Sequence, residues 1–281
     1  MVTQQGRSLN QNNSSISSEV ETLVEAIDTL KVYCGMILLS LAKHSQGLRD
    51  KTISNFLARG MTCTESIFLC WREGSEDDAW ILHRSLLDRL FHLHNLIEQN
   101  SFSDFEEYSF LKMYNIRQKL LSDKEMRDKV PADLKQLQQS QKERHKKLAG
   151  KTNTWRRPKA EDVAKSMDIT FLYSFGYDLA SMKVHPMAQD GEVDFVRLTS
   201  PISNQALPDV TVVKNSILAQ SILIQEALNA SSVQWRKVIY DFVEQIREFL
   251  KDDKNLKFQE TFYKIGSLWP TVDFCEPRPD K

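Results

Sequence analysis

Apolar residues recur every three to four positions through most of this chain, and that period constrains the fold more than any other feature. Val20, Leu23, Val24, Ile27, Leu30, Cys34, Ile37, Leu38 and Leu41 share one helical face, as do Ile53, Phe56, Leu57, Met61, Thr64, Ile67 and Phe68. Leu82, Leu86, Leu90, Leu93 and Ile97 repeat the pattern behind Glu76, Asp77 and Asp78, whose charge suits the positive end of a helix dipole. No long segment alternates apolar and polar residues as a half-buried strand does. With only 9 Gly and 8 Pro among 281 residues, the turn-rich text of a β-sandwich is also missing. The expected fold is all-α: a multi-helix bundle with a long irregular loop near its C-terminal third.

The same period places the elements. Helices are expected from Ser17 or Ser18, over Thr52–Trp71, Asp77–Gln99 and Ser103–Leu121, and, charged nearly all round, over Ala132–Ala149. After Pro158 come a short helix at Glu161–Met167 and another over Ile169–Val184. The latter stops at His185-Pro186, because proline disfavours helical backbone in the residue before it. Met187–Asp209 reads as a lid or irregular loop with a short extended piece at Val193–Leu198. Val213–Leu250 is helical again, with a break near Ser231, and a short helix runs to Ile265. The expected organisation is a disordered leader over 1–17, a single helical domain over 18–265 and a tail over 266–281.

Composition narrows the classes. At 41% hydrophobic and 27% charged the chain is neither disordered nor fibrous, and a formal charge of -1 gives no overall field toward nucleic acid or anionic lipid. No run approaches the ~18 apolar residues of a membrane span, and the polar leader lacks a signal-peptide core, so the expected location is cytoplasmic with no membrane partner. Cys34, Cys63, Cys70 and Cys275 form no Cys-x-x-Cys pair and read as buried reduced thiols. One charge run stands out: Lys142, Arg144, Lys146, Lys147, Lys151, Arg156, Arg157 and Lys159, opposed only by Glu143. It reads as a solvated helix face with a hinge at Gly150, or as an edge for RNA phosphates.

Two helices carry polar residues at four-residue spacing within apolar text, which stacks side chains on one face. The first stripe is Arg84, Asp88 and His92; the second is Tyr173, Tyr177, Ser181 and His185. Were the faces opposed, an arginine, a carboxylate, hydroxyls and imidazoles would converge inside a bundle, where sites are commonly built. Arg84 and Asp88 also read as an ion pair fixing helix register, Tyr177 and Ser181 as donors to neighbouring carbonyls, and His185 as a helix cap. A metal held by Asp88, His92 and His185 is the weaker alternative, since the Glu-x-x-His and His-Glu-x-x-His patterns are absent; no metal and no cofactor is expected. Ser181 lies in no Gly-x-Ser-x-Gly turn. His83 and His94 read as packing or surface residues.

On Arg84-Ser85-Leu86-Leu87-Asp88, Tyr108 and Tyr177-x-x-x-Ser181-x-x-x-His185-Pro186, the chain resembles a bacterial helical family of unknown function, number 5677 among such domains. The resemblance covers about Trp80 to Met187 and implies a helical fold and the importance of those residues. It brings no activity, and family members more often have glutamate where Asp88 stands. A remoter likeness is to the HEPN-type ribonucleases of toxin and phage-defence systems, whose signature is Arg, four to six residues, then His. Asp178, Leu179 and Ala180 occupy the places of that arginine. The likeness therefore implies that Arg84 substitutes from another helix, stabilising phosphorane charge while His185 acts as general base or acid at a ribose 2′-hydroxyl.

Two functions follow as expectations for a site of Arg84, Asp88, Tyr177, Ser181 and His185. One is metal-independent RNA cleavage of the toxin or defence type, with RNA drawn to Lys142–Lys159. The other is a non-catalytic sensor or scaffold that binds a small anion or a protein partner, with a homo-oligomer among the options.

Overall fold

A computed structural model describes residues 5–44, 47–129, 131, 139–151, 155–185, 188, 191–199, 209–231, 236–252 and 258, with isolated positions at 260, 263 and 267. Every regular element among them is helical. The chain divides into two compact units, one of residues 1–95 with 158–281 and one of residues 96–157.

In the larger unit α1 (Gln5–His44), α2 (Leu48–Arg72) and α3 (Glu76–Glu98) follow one another. The first helix starts upstream of Ser17, although the buried stripe begins only with Thr22 and Leu23, at the point where the apolar period sets in. Leu23, Ile27, Leu30, Cys34, Ile37 and Leu41 are buried on α1, as their spacing requires. Cys34 lies 3.8 Å from the Leu57 carbonyl and Lys31 pairs with Glu65 at 2.5 Å, so α1 and α2 run antiparallel. Cys63 on α2 sits 3.2 Å from the Leu82 carbonyl of α3. Burial pushes the Cys34 thiol up to about 12 and raises that of Cys63 by the same cause, which makes both poor nucleophiles. Cys275 lies outside the described residues.

After α3 the unit continues with α7 (Ala160–Ser166), α8 (Thr170–Leu172), a π-helical turn (Tyr173–Asp178), α9 (Leu179–Val184), α10 (Glu192–Thr199), α11 (Thr211–Ala230) and α12 (Arg236–Asp252). Nearly all of α11 is buried, because it packs on α1, α2 and α12 at once. An all-round buried helix cannot show an amphipathic stripe, which is why its sequence reads as a run of apolar and small residues. The break expected near Ser231 is real: Ala230 ends α11 and Arg236 begins α12. The extended piece expected at Val193–Leu198 is instead part of helix α10. Two β-branched valines in a short segment suggested a strand, yet so short a stretch carries little period information. Pro186 and most of the connection that follows lie outside the described residues.

The smaller unit pairs α4 (Phe102–Ser122) with α6 (Gln139–Ala149) and includes the single turn α5 (Lys124–Arg127). Asp123 caps α5 by accepting from the Glu125 and Met126 amides at 2.9 and 3.0 Å. Residues 132–138, the expected start of the charged helix, lie outside the described residues. An aromatic cluster organises the unit: the buried Trp155 ring lies 4.9 Å from Phe105 and 4.6 Å from Tyr108, and Tyr114 stacks on His145 at 4.1 Å.

Candidate functional site

The site begins with a close approach of two helices. Gly176, inside the π-helical turn, is buried against α3, where a Cβ would stand 2.9 Å from His83 Nε2 and 3.0 Å from Leu87 Cδ1. Only glycine permits that distance. The fully buried His83 ring is anchored from behind, its Nδ1 2.8 Å from Ser216 Oγ on α11. Ser216 already gives its proton to the Val212 carbonyl at 2.6 Å, so His83 must be the donor at Nδ1 and carries its lone pair on Nε2. That Nε2 is buried with no partner among the described residues, and burial pushes the imidazole down to about 3. His83 is therefore neutral.

Held against α3 in this way, the π-helical turn delivers Tyr177. Its hydroxyl donates to Asp88 Oδ1 at 3.1 Å, and its ring lies 5.0 Å beneath the Arg84 guanidinium. Phe91 at 5.9 Å and the parallel ring of Tyr173 at 5.7 Å complete the aromatic floor. The expected Arg84–Asp88 ion pair does not form; the tyrosine takes the carboxylate, and the arginine stacks on the tyrosine. Arg84 Nε is buried without an acceptor among the described residues. A stacked guanidinium is oriented before any ligand arrives, and it keeps its fork of donors for a planar or tetrahedral anion.

Ser181 and His185 follow Tyr177 along the same helical segment. Ser181 donates to the Tyr177 carbonyl one turn back at 2.6 Å. Lys183 pairs with Asp77 at 2.8 Å while Tyr177 meets Asp88, so this helix runs antiparallel to α3 and its later residues approach the start of α3. His185 is the extended C-cap of α9, exposed, with its amide on the Ser181 carbonyl at 3.3 Å. It lies eight residues beyond Tyr177, a rise of roughly 12 Å along the axis. The structure thus brings together Arg84, Asp88 and Tyr177, while His185 stands at the exposed end of the helix that follows the tyrosine.

His92, the last residue of the first stripe, turns Nδ1 to the Asp88 carbonyl in its own helix. Among the described residues no group of three His, Cys, Asp or Glu side chains is arranged to hold a metal ion. The basic run is partly spent inside the smaller unit: Arg144 pairs with Glu106 and lies 4.3 Å over the Phe110 ring, and Lys151 reaches Glu107 at 3.7 Å. Lys142, Lys146, Lys147 and Arg156 are exposed.

Sequence reasoning passed over a second polar group. His94 bonds Glu226 through Nδ1 at 2.9 Å and faces Ser166 Oγ through Nε2 at 3.4 Å, an order of serine, imidazole and carboxylate drawn from α7, α3 and α11. Three observations argue against nucleophilic chemistry there. Ser166 gives its proton to the Val163 carbonyl at 2.8 Å. The following amides, of Met167, Asp168 and Ile169, all bond local carbonyls and leave no oxyanion donor beside the serine. Ser166 also closes α7 at its C-terminal, negative end, the wrong end for an oxyanion. The group ties three helices together. No local motif marks it, because its members lie far apart in the chain.

The family model described as "Family of unknown function (DUF5677)" matches residues 50–199, a span that holds Arg84, Asp88, Tyr177, Ser181 and His185. No curated protein and no solved structure matches the chain.

Proposed function

The chain belongs to the family of unknown function DUF5677, and from that premise we propose that it is a non-catalytic sensor or scaffold module whose Arg84–Tyr177 platform binds a small anion of the phosphate type. One observation carries the reading: the Arg84 guanidinium is stacked at 5.0 Å on a tyrosine that donates to Asp88, and among the described residues it has no carboxylate partner. A half-buried cation that gives up hydration for a ring face recovers free energy when an anion completes its hydrogen bonds. His83, Ser216 and Gly176 act here as positioning residues that hold the tyrosine at its height.

Metal-independent RNA cleavage is the competing reading, and the placement of His185 weighs against it. Acid–base chemistry at a phosphate held by Arg84 needs an imidazole within roughly 3 Å of the reacting proton. His185 is the exposed C-cap of α9, roughly 12 Å along the helix axis from Tyr177, and this exposure supports the binding reading over an enclosed catalytic site.

Calorimetric titration with inorganic phosphate and pyrophosphate tests the proposal. Wild type is expected to bind and Arg84→Met to lose most of the binding heat while keeping its helical circular dichroism. Equal binding by both would overturn the reading. In a parallel arm total RNA is incubated with the protein in excess chelator; cleavage by wild type that His185→Ala abolishes would put the nuclease reading in its place.

A further inference from the structure

The near-neutral charge of the chain hides a division. The smaller unit, residues 96–157, holds 14 Lys and Arg against 9 Asp and Glu, while the larger unit holds 23 against 29. Within the smaller unit the cations collect where α4 and α6 pack antiparallel, as the contacts of Arg117 with Gln141 at 3.4 Å, of Tyr114 with His145 and of Lys151 with Glu107 require. The three acids of α4, Asp104, Glu106 and Glu107, all stand in its first two turns, and the last two already hold Arg144 and Lys151. Beyond them the charges of α4 are Lys112, Arg117 and Lys119. The one acid of α6, Glu143, comes two residues before His145 and so falls on the opposite side of the helix, where it accepts from Gln139 at 3.0 Å. The turn after α4, Asp123–Lys129, carries as many acids as bases and leaves the balance unchanged.

We propose that the Tyr114–His145 stack and the cations around it form a surface for single-stranded nucleic acid. The two rings lie 4.1 Å apart and 15° from parallel, and each is only half-buried, so the stack reaches solvent. Lys142 and Lys146 stand within roughly 100° of His145 around α6, on one flank of it, and both are exposed. Among the described residues no acid pairs with either. Arg117 follows Tyr114 by one turn of α4. A base laid on an exposed ring extends such a stack whatever its sequence, and the phosphates on either side of it meet the cations. The rings decide the partner. An acidic protein needs the charge but not the stack, and a duplex keeps its bases stacked on one another. RNA and DNA strands share the chemistry of phosphate and unpaired base. The surface uses no residue of the Arg84 platform, so the two readings stand or fall separately.

Fluorescence anisotropy of the full chain with labelled oligouridine and oligothymidine of about ten nucleotides, beside a duplex of equal length and heparin, tests this. Wild type is expected to bind a single strand in preference to duplex and heparin, and the two single strands show whether the ribose contributes. With three cations on the phosphates, affinity should fall about twentyfold between 50 and 200 mM salt. Lys146→Glu is expected to weaken binding and flatten that dependence without changing the melting temperature, since the side chain is exposed. Tyr114→Ala is expected to weaken binding about tenfold at every salt concentration, and Tyr114→Phe, which keeps the ring, to bind as wild type. Absence of binding to either single strand would overturn the proposal. So would a preference for duplex or heparin, which would leave a plain polyanion surface, or single-strand binding indifferent to both Lys146→Glu and Tyr114→Ala, which would put the strand elsewhere.

Discussion

Replacing Gly176 by alanine places two ordinary effects in opposition. In an unobstructed helix the change helps: Gly35 on α1 has nothing within 4 Å of an added Cβ, and Gly35→Ala is expected to stabilise by roughly 1 kcal/mol. At Gly176 the same methyl stands 2.9 Å from His83 Nε2 and 3.0 Å from Leu87 Cδ1, where ordinary contacts lie at 3.4–4 Å. The imidazole cannot retreat, since it is fully buried and fastened to Ser216 at 2.8 Å. The π-helical turn must step outward instead. Overpacking of this kind costs about 1–3 kcal/mol, so the net expectation is a loss of up to ~2 kcal/mol. That outward step lifts Tyr177 from Asp88 and from beneath Arg84, and anion affinity should fall with stability. Urea unfolding of wild type, Gly35→Ala and Gly176→Ala side by side, with pyrophosphate titrations on each, reads both effects. A Gly176→Ala protein as stabilised as Gly35→Ala, with unchanged binding, would refute the claim that the close approach sets the height of the platform.

Two further outcomes follow from the same contacts. His83 titrates near 6.5 when unfolded and is pushed down to about 3 by burial when folded, so the unfolded chain binds the extra proton. Its contribution to stability is whole above about pH 6.5 and falls by about 1.4 kcal/mol per pH unit as pH drops toward 3; His83→Gln should flatten that slope in urea midpoints from pH 7 to 4, and an unchanged slope would count against a neutral buried imidazole. Tyr177→Phe removes the donor to Asp88 and is expected to cost about 1–2 kcal/mol in wild type but much less beside Asp88→Ala; equal costs in the two backgrounds would mean that the 3.1 Å bond does not couple them.

The helices were legible in the sequence because each had to bury one face, and their apolar residues had to keep helical time. Arg84 and Asp88 stood out for the same reason, as polar residues between Leu82, Leu86 and Leu90, and in the structure both meet Tyr177. The second stripe was legible only in part. Four-residue spacing from Tyr173 to His185 assumed one regular helix, whereas the turn at Tyr173–Asp178 is π-helical and widens the backbone. No residue type announces such a turn, although Gly176 within an apolar helix is a sign of close approach. Ser181 is therefore satisfied within its own helix and His185 is carried to the exposed end. His83 had the spacing of a core residue and is one. The bonds from His83 to Ser216 and from His94 to Glu226 span more than a hundred residues, and only the fold joins them.

The Arg84 side chain itself gives the most direct test. Its Nε–H is buried without an acceptor among the described residues and should give a resolved proton–nitrogen correlation, assigned by its disappearance in Arg84→Lys. During titration with pyrophosphate that signal is expected to move and saturate along the calorimetric binding curve, while other arginine signals stay in place. A signal that remains fixed through the titration, or heat of binding that persists in Arg84→Lys with equal affinity, would contradict an anion site on the Tyr177 platform.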